Sequence, residues 1–150
     1  MGQRANHDRE LNTSRNLRDD SGSLSTYIAA SVVLPLLAML AGAGLALSGL
    51  AATAANVNDA RDAGVVAAEI QGGVDPTVVQ AVDTTLESLG VNPSTALVYG
   101  TPPPVPWGST LSLTVTEPVP LIGFPWNLLG LAGQTVVVGG TTYTTSNVDP

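Results

Sequence analysis

The chain contains no cysteine, and this absence excludes both a disulfide framework and a thiolate metal site. Lysine is also absent, and histidine occurs once, as His7. The sequence after Arg61 therefore lacks histidine, lysine and cysteine, which are the commonest general bases, nucleophiles and metal ligands. These absences predict a protein that is not an enzyme and that binds no metal and no cofactor.

Positive charge is scarce: the chain has five arginines against twelve acidic residues, and its net charge is −7. Arg61 is the one basic residue in the last two thirds of the chain, and the other four are arginines at positions 4, 9, 15 and 18. Nucleic-acid binding depends on clustered Lys and Arg that neutralise phosphates. The distribution of charge therefore predicts that nucleic acid is not a partner.

Carboxylates are the remaining candidates for chemistry. Asp83, Glu87 and Glu117 could supply an acid–base pair of the kind glycosidases use. However, Asp83 and Glu87 lie four residues apart beside the apolar stripe of a predicted helix, which is typical of an ordinary solvated face. No G-x-S-x-G motif is present, and no catalytic residue is predicted.

A long apolar stretch without charge extends from residue 28 to residue 55. As a helix it would be about 42 Å long, which exceeds the ~30 Å hydrocarbon core of a bilayer. It is too long to be buried in a chain of 150 residues, so it predicts a transmembrane helix. Because four arginines precede it and one follows, residues 1–22 should form a cytoplasmic tail or leader, and residues 74–150 an extracytoplasmic domain.

A cleaved secretory signal is the main alternative for this stretch. Ala52-Thr53-Ala54 fits the small-x-small cleavage pattern, which would release a secreted protein beginning near Ala55. The polar segment ahead of the apolar run is long for such a signal, and the run itself exceeds the usual length of about 7–15 residues. An uncleaved signal anchor is therefore favoured.

Small residues are frequent in the span and recur four residues apart. This spacing aligns them on a helix face, where a neighbouring helix can approach closely. Pro35 removes a backbone hydrogen bond to the Ser31 carbonyl and predicts a kink. The residues predicted to pack against another helix are Ala38, Gly42, Gly44, Ala46, Ser48 and Ala52.

Two helices are predicted from this region onward. The first covers residues 23–73, because no proline follows Pro35 before Gly72-Gly73 and small or apolar residues recur at helical spacing. Those residues are Val57, Ala60, Gly64 and Ala67. The second helix has Asp75 at its N-cap, Pro76 at its first position and Gly90 past its end. Its apolar stripe consists of Val78, Val79, Val82, Leu86 and Leu89.

Strands are predicted after residue 91. Residues 110–117 alternate strictly, with Leu111, Leu113 and Val115 on one face, which indicates a half-buried strand. Residues 136–143 predict a hairpin with its turn at Gly139-Gly140, and residues 96–99 a further strand. The connections are rich in proline and glycine yet apolar. Their aromatic residues should either cover the sheet or contact another subunit; these are Trp107, Phe124 and Trp126.

Residues 18–69 resemble the N-terminal region of type IV pilin-like proteins, and most closely the TadE/TadG-like subset of tight-adherence pili. The resemblance is carried by the polar RDDSGSLSTYI, by the proline-containing ASVVLPLLAMLAGAGLAL and by the Ala-rich NVNDARDAGVVAAE. The portion with LSLTVTEPVPL is similar to the outer domain of the family. The resemblance implies an α+β pilin-like fold, with a long N-terminal helix and a sheet of three or four antiparallel strands.

The resemblance also implies processing and partners. Gly22 matches the glycine after which a prepilin peptidase cuts, which would leave Ser23 as the new N-terminus. Five residues after the cut, where such families usually carry glutamate, this chain has Tyr27. The implied partners are copies of the chain itself, membrane lipid, a pilus assembly platform and the peptidase.

The sequence thus predicts a structural subunit of a surface filament, which assembles through its small-residue helix. Two alternatives stay open. One is a monomeric membrane-anchored binding or adhesion domain, and the other is a surface protein secreted after cleavage near Ala54.

Overall fold

The computed structural model describes residues 3–148, with side chains from Thr26 onward. Two helices and one sheet of three antiparallel strands confirm the predicted α+β class. The elements are α1 (Gln3–Gln71), α2 (Pro76–Ser88), β1 (Leu97–Gly100), β2 (Thr110–Pro120) and β3 (Thr135–Thr145). The chain divides into two compact units, of which the first ends at Ala43 and the second begins at Gly44.

The first unit is formed by the N-terminal part of α1, which begins earlier than expected. The sequence predicted a tail over residues 1–22 and a helix from residue 23, whereas α1 begins at Gln3. No proline precedes Pro35, and Gly22 inside a helix costs only about 1 kcal/mol relative to alanine, so no residue here forces a break. The helix continues through Pro35, and the kink at that position stays a prediction.

The predicted boundaries between the helices are confirmed. Gly72 ends α1 with a φ of +66°, a conformation that glycine adopts without strain. The Asp75 side chain then accepts a hydrogen bond of 2.9 Å from the Val78 amide and caps α2. Pro76 is the first residue of α2, and Gly90, with a φ of +75°, follows its end.

The second unit has its own core. From α1, Val57, Ala60, Gly64 and Ala68 are buried, while Ala67, predicted on this face, is only partly buried. They pack with the buried residues of α2 and with the inward face of β2, which confirms the predicted apolar face, although Thr114 on the opposite face is also buried. The remaining members of this core include Val78, Val82, Leu86, Leu111, Leu113 and Val115.

The predicted hairpin with a turn at Gly139-Gly140 is wrong. These glycines lie in the middle of β3, which pairs with β2 without interruption from Thr110↔Thr145 to Pro120↔Thr135. Gly139 is needed because a Cβ there would lie 2.9 Å from Val57 Cγ1 and would also collide with the Val115 carbonyl oxygen. Glycine in the strand thus marks a close approach of the backbone to α1 rather than a turn.

Candidate interaction surfaces

The apolar part of α1 is not used in the core of the chain. None of its most apolar stretch is buried, and it is the one helix of the described residues that is long and apolar enough to cross a membrane. A signal sequence near an N-terminus satisfies the same criteria of length and composition. The surface that this stretch presents consists of large side chains, among them Ile28, Val32, Leu36, Leu40 and Leu45.

The predicted helix-packing residues lie on two faces of α1. At about 100° per residue, Ala38, Gly42 and Ala46 share one face, and Gly44, Ser48 and Ala52 share another. All six are exposed or half-buried. At Gly44 an added Cβ would meet nothing within 4 Å, so the chain itself leaves that face empty. The Ser48 hydroxyl is bonded within the helix, to the Leu45 carbonyl at 2.8 Å.

The predicted leader site lies in α1 as well. The backbone of Gly22 and Ser23 is helical, and the side chain of Ser23 lies outside the described part of the chain. Cleavage after Gly22 therefore stays a prediction.

The carboxylates considered for chemistry occupy separate places. Glu117 is buried in β2, with 7% of its surface exposed, and accepts a 2.6 Å hydrogen bond from Thr95 Oγ1. Asp83 lines a shallow groove of about 570 Å³ between α2 and β1, together with Asp75, which already caps α2; neither Glu87 nor Glu117 lines this groove. Among residues 26–148, no group of three or more His, Asp or Glu side chains is placed to hold a metal ion.

No protein family, curated protein or solved structure matches this chain.

The apolar connections only partly cover the sheet. Leu121 and Pro125 are buried and Trp126 is half-buried, whereas Trp107 and Phe124 are exposed. The sequence identified these aromatic residues, but their separation in space depends on the register of β2 with β3. Trp107 precedes the Thr110↔Thr145 end of that ladder, and the loop with Phe124 and Trp126 joins its Pro120↔Thr135 end.

Proposed function

We propose that this chain is a single-pass membrane protein that acts as a structural subunit, assembling with copies of itself through α1. One observation carries the proposal: the most apolar stretch of α1 is unburied, whereas the second unit folds around a core of its own. Because this stretch contributes nothing to that core, its apolar side chains need another apolar environment to be removed from water. Lipid supplies that environment for one copy, and the helices of other copies supply it in an assembly.

The small residues of α1 support assembly over permanent immersion in lipid. Association of helices in a bilayer depends on close van der Waals packing, because lipid chains are as apolar as leucine. Gly44 offers an open surface where a second helix could approach the backbone. With the cytoplasmic orientation that the arginines favour, the second unit would project from the outer face of the membrane.

A pilin-like filament is the assembly that fits this proposal best. The order of a long helix, a short helix and an antiparallel sheet agrees with the resemblance to the TadE/TadG-like subset. Under this proposal a prepilin peptidase would process the chain between Gly22 and Ser23, and an assembly platform would move subunits from lipid into the filament.

The decisive experiment compares Gly42→Leu/Gly44→Leu with Ala43→Leu in intact membranes. The double variant keeps the span apolar but separates neighbouring helices, so we expect normal membrane levels and loss of crosslinked oligomers or filaments. Ala43→Leu adds a leucine on the side of the helix that already carries Leu36, Leu40 and Leu47, and should assemble normally. Assembly of the double variant at the wild-type level would contradict the proposal and favour a monomeric anchored domain.

A secreted protein is the second candidate, and one observation favours it. Among residues 26–71 of α1, Val57 is the first that is buried in the core, so cleavage after Ala54 would keep every described core residue. Sequencing the N-terminus of the mature protein separates the candidates. Ser23 would support pilin-like processing, whereas a terminus near Ala55 would show that the apolar stretch is a signal and would overturn the proposed anchor.

A further inference from the structure

The connection between β2 and β3, residues 121–134, carries large apolar side chains that point away from the core. We use the term apolar end for residues 121–134 together with Val136 and Val137 at the start of β3. Its exposed side chains in the loop are those of Ile122, Phe124, Leu128 and Leu129. No charged residue occurs between Glu117 and Asp149. Exposed apolar surface of this kind marks an interaction site.

Contacts between β3 and α1 fix the position of the apolar end. The Asn147 amide, just past β3, donates to the Glu69 carbonyl at 3.0 Å. At Gly139, in the middle of β3, an added Cβ would lie 2.9 Å from Val57 Cγ1. From its C-terminal end toward its N-terminal end, β3 therefore runs along α1 in the direction from Glu69 to Val57. Continued beyond Gly139, this direction leads toward the residues of α1 that precede Val57. The apolar end accordingly lies on the side of α1 residues 44–55.

This part of α1 is the last portion of the candidate membrane span. Residues 44–55 carry no charge, and Leu45 is 75% exposed. Polar side chains begin at Asn56 and continue through Asn58 and Asp59. A helix that leaves a bilayer shows this change from apolar to polar residues at the outer surface. The apolar end thus lies on the lipid side of that boundary.

Many backbone amides of the loop are hydrogen-bonded within the protein. Polar backbone groups in lipid must be satisfied within the protein. The amides of Asn127 and Leu128 donate to Gly123 and Pro125, and Leu131 donates to Trp126 at 2.9 Å. At the base of the loop, Leu121 and Gln134 are joined by a 2.8 Å bond. These bonds close the turn, and most of its large outward side chains are apolar, with Asn127 and Gln134 as exposed polar exceptions.

We propose that the apolar end inserts into the outer interface of the lipid bilayer, as a second membrane contact beside α1. The inference rests on the proposed function, because it requires α1 to be anchored in the membrane. Lipid is favoured over a second copy because the apolar end continues the exposed apolar surface of α1 residues 44–55 and lies at their level. Trp126 also belongs to a residue type that is enriched at membrane interfaces.

The two tryptophans provide an internal comparison. Trp126 belongs to the apolar end, and Trp107 lies near the opposite end of the β2–β3 ladder, which is about 33 Å long at ~3.3 Å per residue. The test uses full-length Trp107→Phe and Trp126→Phe proteins, each reconstituted in vesicles with brominated or unbrominated phospholipid. We expect brominated lipid to quench Trp126 and iodide in the outer medium to quench Trp107, with neither quencher acting on the other residue.

A second measurement does not depend on tryptophan. Leu128 and Trp107 are similarly exposed, at 60% and 64%, and the chain has no cysteine of its own. In the same vesicles, a membrane-impermeant maleimide should label Trp107→Cys and spare Leu128→Cys, while both should react after unfolding in denaturant.

The outcomes separate the inference from the proposed function. Resistance to alkaline extraction establishes that α1 is anchored, whatever the loop does. In anchored protein, quenching of Trp126 by iodide would show a solvated loop. Shielding of Trp126 from both iodide and brominated lipid would show a contact with another copy. Either result would overturn the inference alone, whereas release of the chain by alkali would overturn both.

Discussion

Gly64 shows how a single small residue positions α1 in the second unit. A Cβ at this position would lie 2.5 Å from Val82 Cγ2 and 2.7 Å from Leu113 Cδ2, so the helix backbone itself lies against α2 and β2. The sequence placed Gly64 on the buried face through its helical spacing with Val57 and Ala60. It could not show how close the approach is, because that depends on the partners across the core.

Substitution of Gly64 therefore tests the packing of α1. We expect Gly64→Ala to lower the free energy of unfolding by about 1–2 kcal/mol, since overpacking outweighs the gain in helix propensity. Gly49→Ala is the matched control, because an added Cβ at Gly49 meets nothing within 4 Å. Thermal unfolding of the full chain in detergent, followed by tryptophan fluorescence, measures both. Equal stability of the two variants would contradict the close contact.

Glu117 is a residue whose environment the sequence did not predict. The sequence marked it only as a candidate carboxylate for chemistry, yet it is buried, and its Oε2 has no hydrogen-bond partner among the described residues. The hydroxyl of Thr95 at Oε1 is its one recorded partner. This pairing joins residues 22 positions apart, and strict alternation in a single strand carries no information about it.

Loss of the Thr95 hydroxyl should consequently lower the free energy of unfolding. Thr95→Val would leave the buried carboxyl without its donor, and we expect a destabilisation of about 1–3 kcal/mol. Thr84→Val removes a hydroxyl that donates only to the Gln80 carbonyl on the exposed side of α2, so it should have little effect. Denaturant titration of the two variants makes the comparison, and equal midpoints would rule out a stabilising role for the Thr95–Glu117 bond.

At the scale of elements, the sequence predicted α2 well and β3 poorly. Asp75, Pro76 and Gly90 act through local backbone chemistry, so their pattern was sufficient to locate the helix. Gly139-Gly140 also has a local interpretation, as a hairpin turn, but it was the wrong one. The deciding factor is the approach of β3 to Val57, which is a tertiary contact that a short sequence window does not contain.

The two neighbouring glycines should respond differently to substitution. Gly139 has a φ of +107° and no room for a Cβ, so Gly139→Ala should disrupt the pairing with β2 and lower the unfolding midpoint markedly. At Gly140 an added Cβ would meet only Arg61 Nη1 at 3.8 Å, and Gly140→Ala should be tolerated. Thermal unfolding distinguishes them. A type I′ turn would require positive φ at both positions, so comparable damage by both substitutions would favour the turn.

At the scale of the whole molecule, the sequence indicated which residues are apolar but not which of them the fold would leave exposed. The long stretch of residues 28–55 was recognisable from composition and length alone. The apolar end was not recognisable in this way, because its position at the level of α1 residues 44–55 follows from the direction of β3. The small-residue faces of α1 could be predicted in part. Helical periodicity predicts that their residues align, but the partners they would pack against lie outside the single chain.

The orientation of the chain in the membrane gives the last prediction. Four arginines lie before the apolar stretch and one after it, and an excess of arginine is retained on the cytoplasmic side. In the chain that keeps residues 1–22, we expect a protease added to intact cells to degrade the part after Asn56 and to spare residues 1–20, with terminal epitope tags as the readout. Permeabilised cells, in which both tags should be lost, are the control. Protection of the C-terminal tag in intact cells would reverse the orientation and place the second unit in the cytoplasm, where it could not form the exterior of a surface filament.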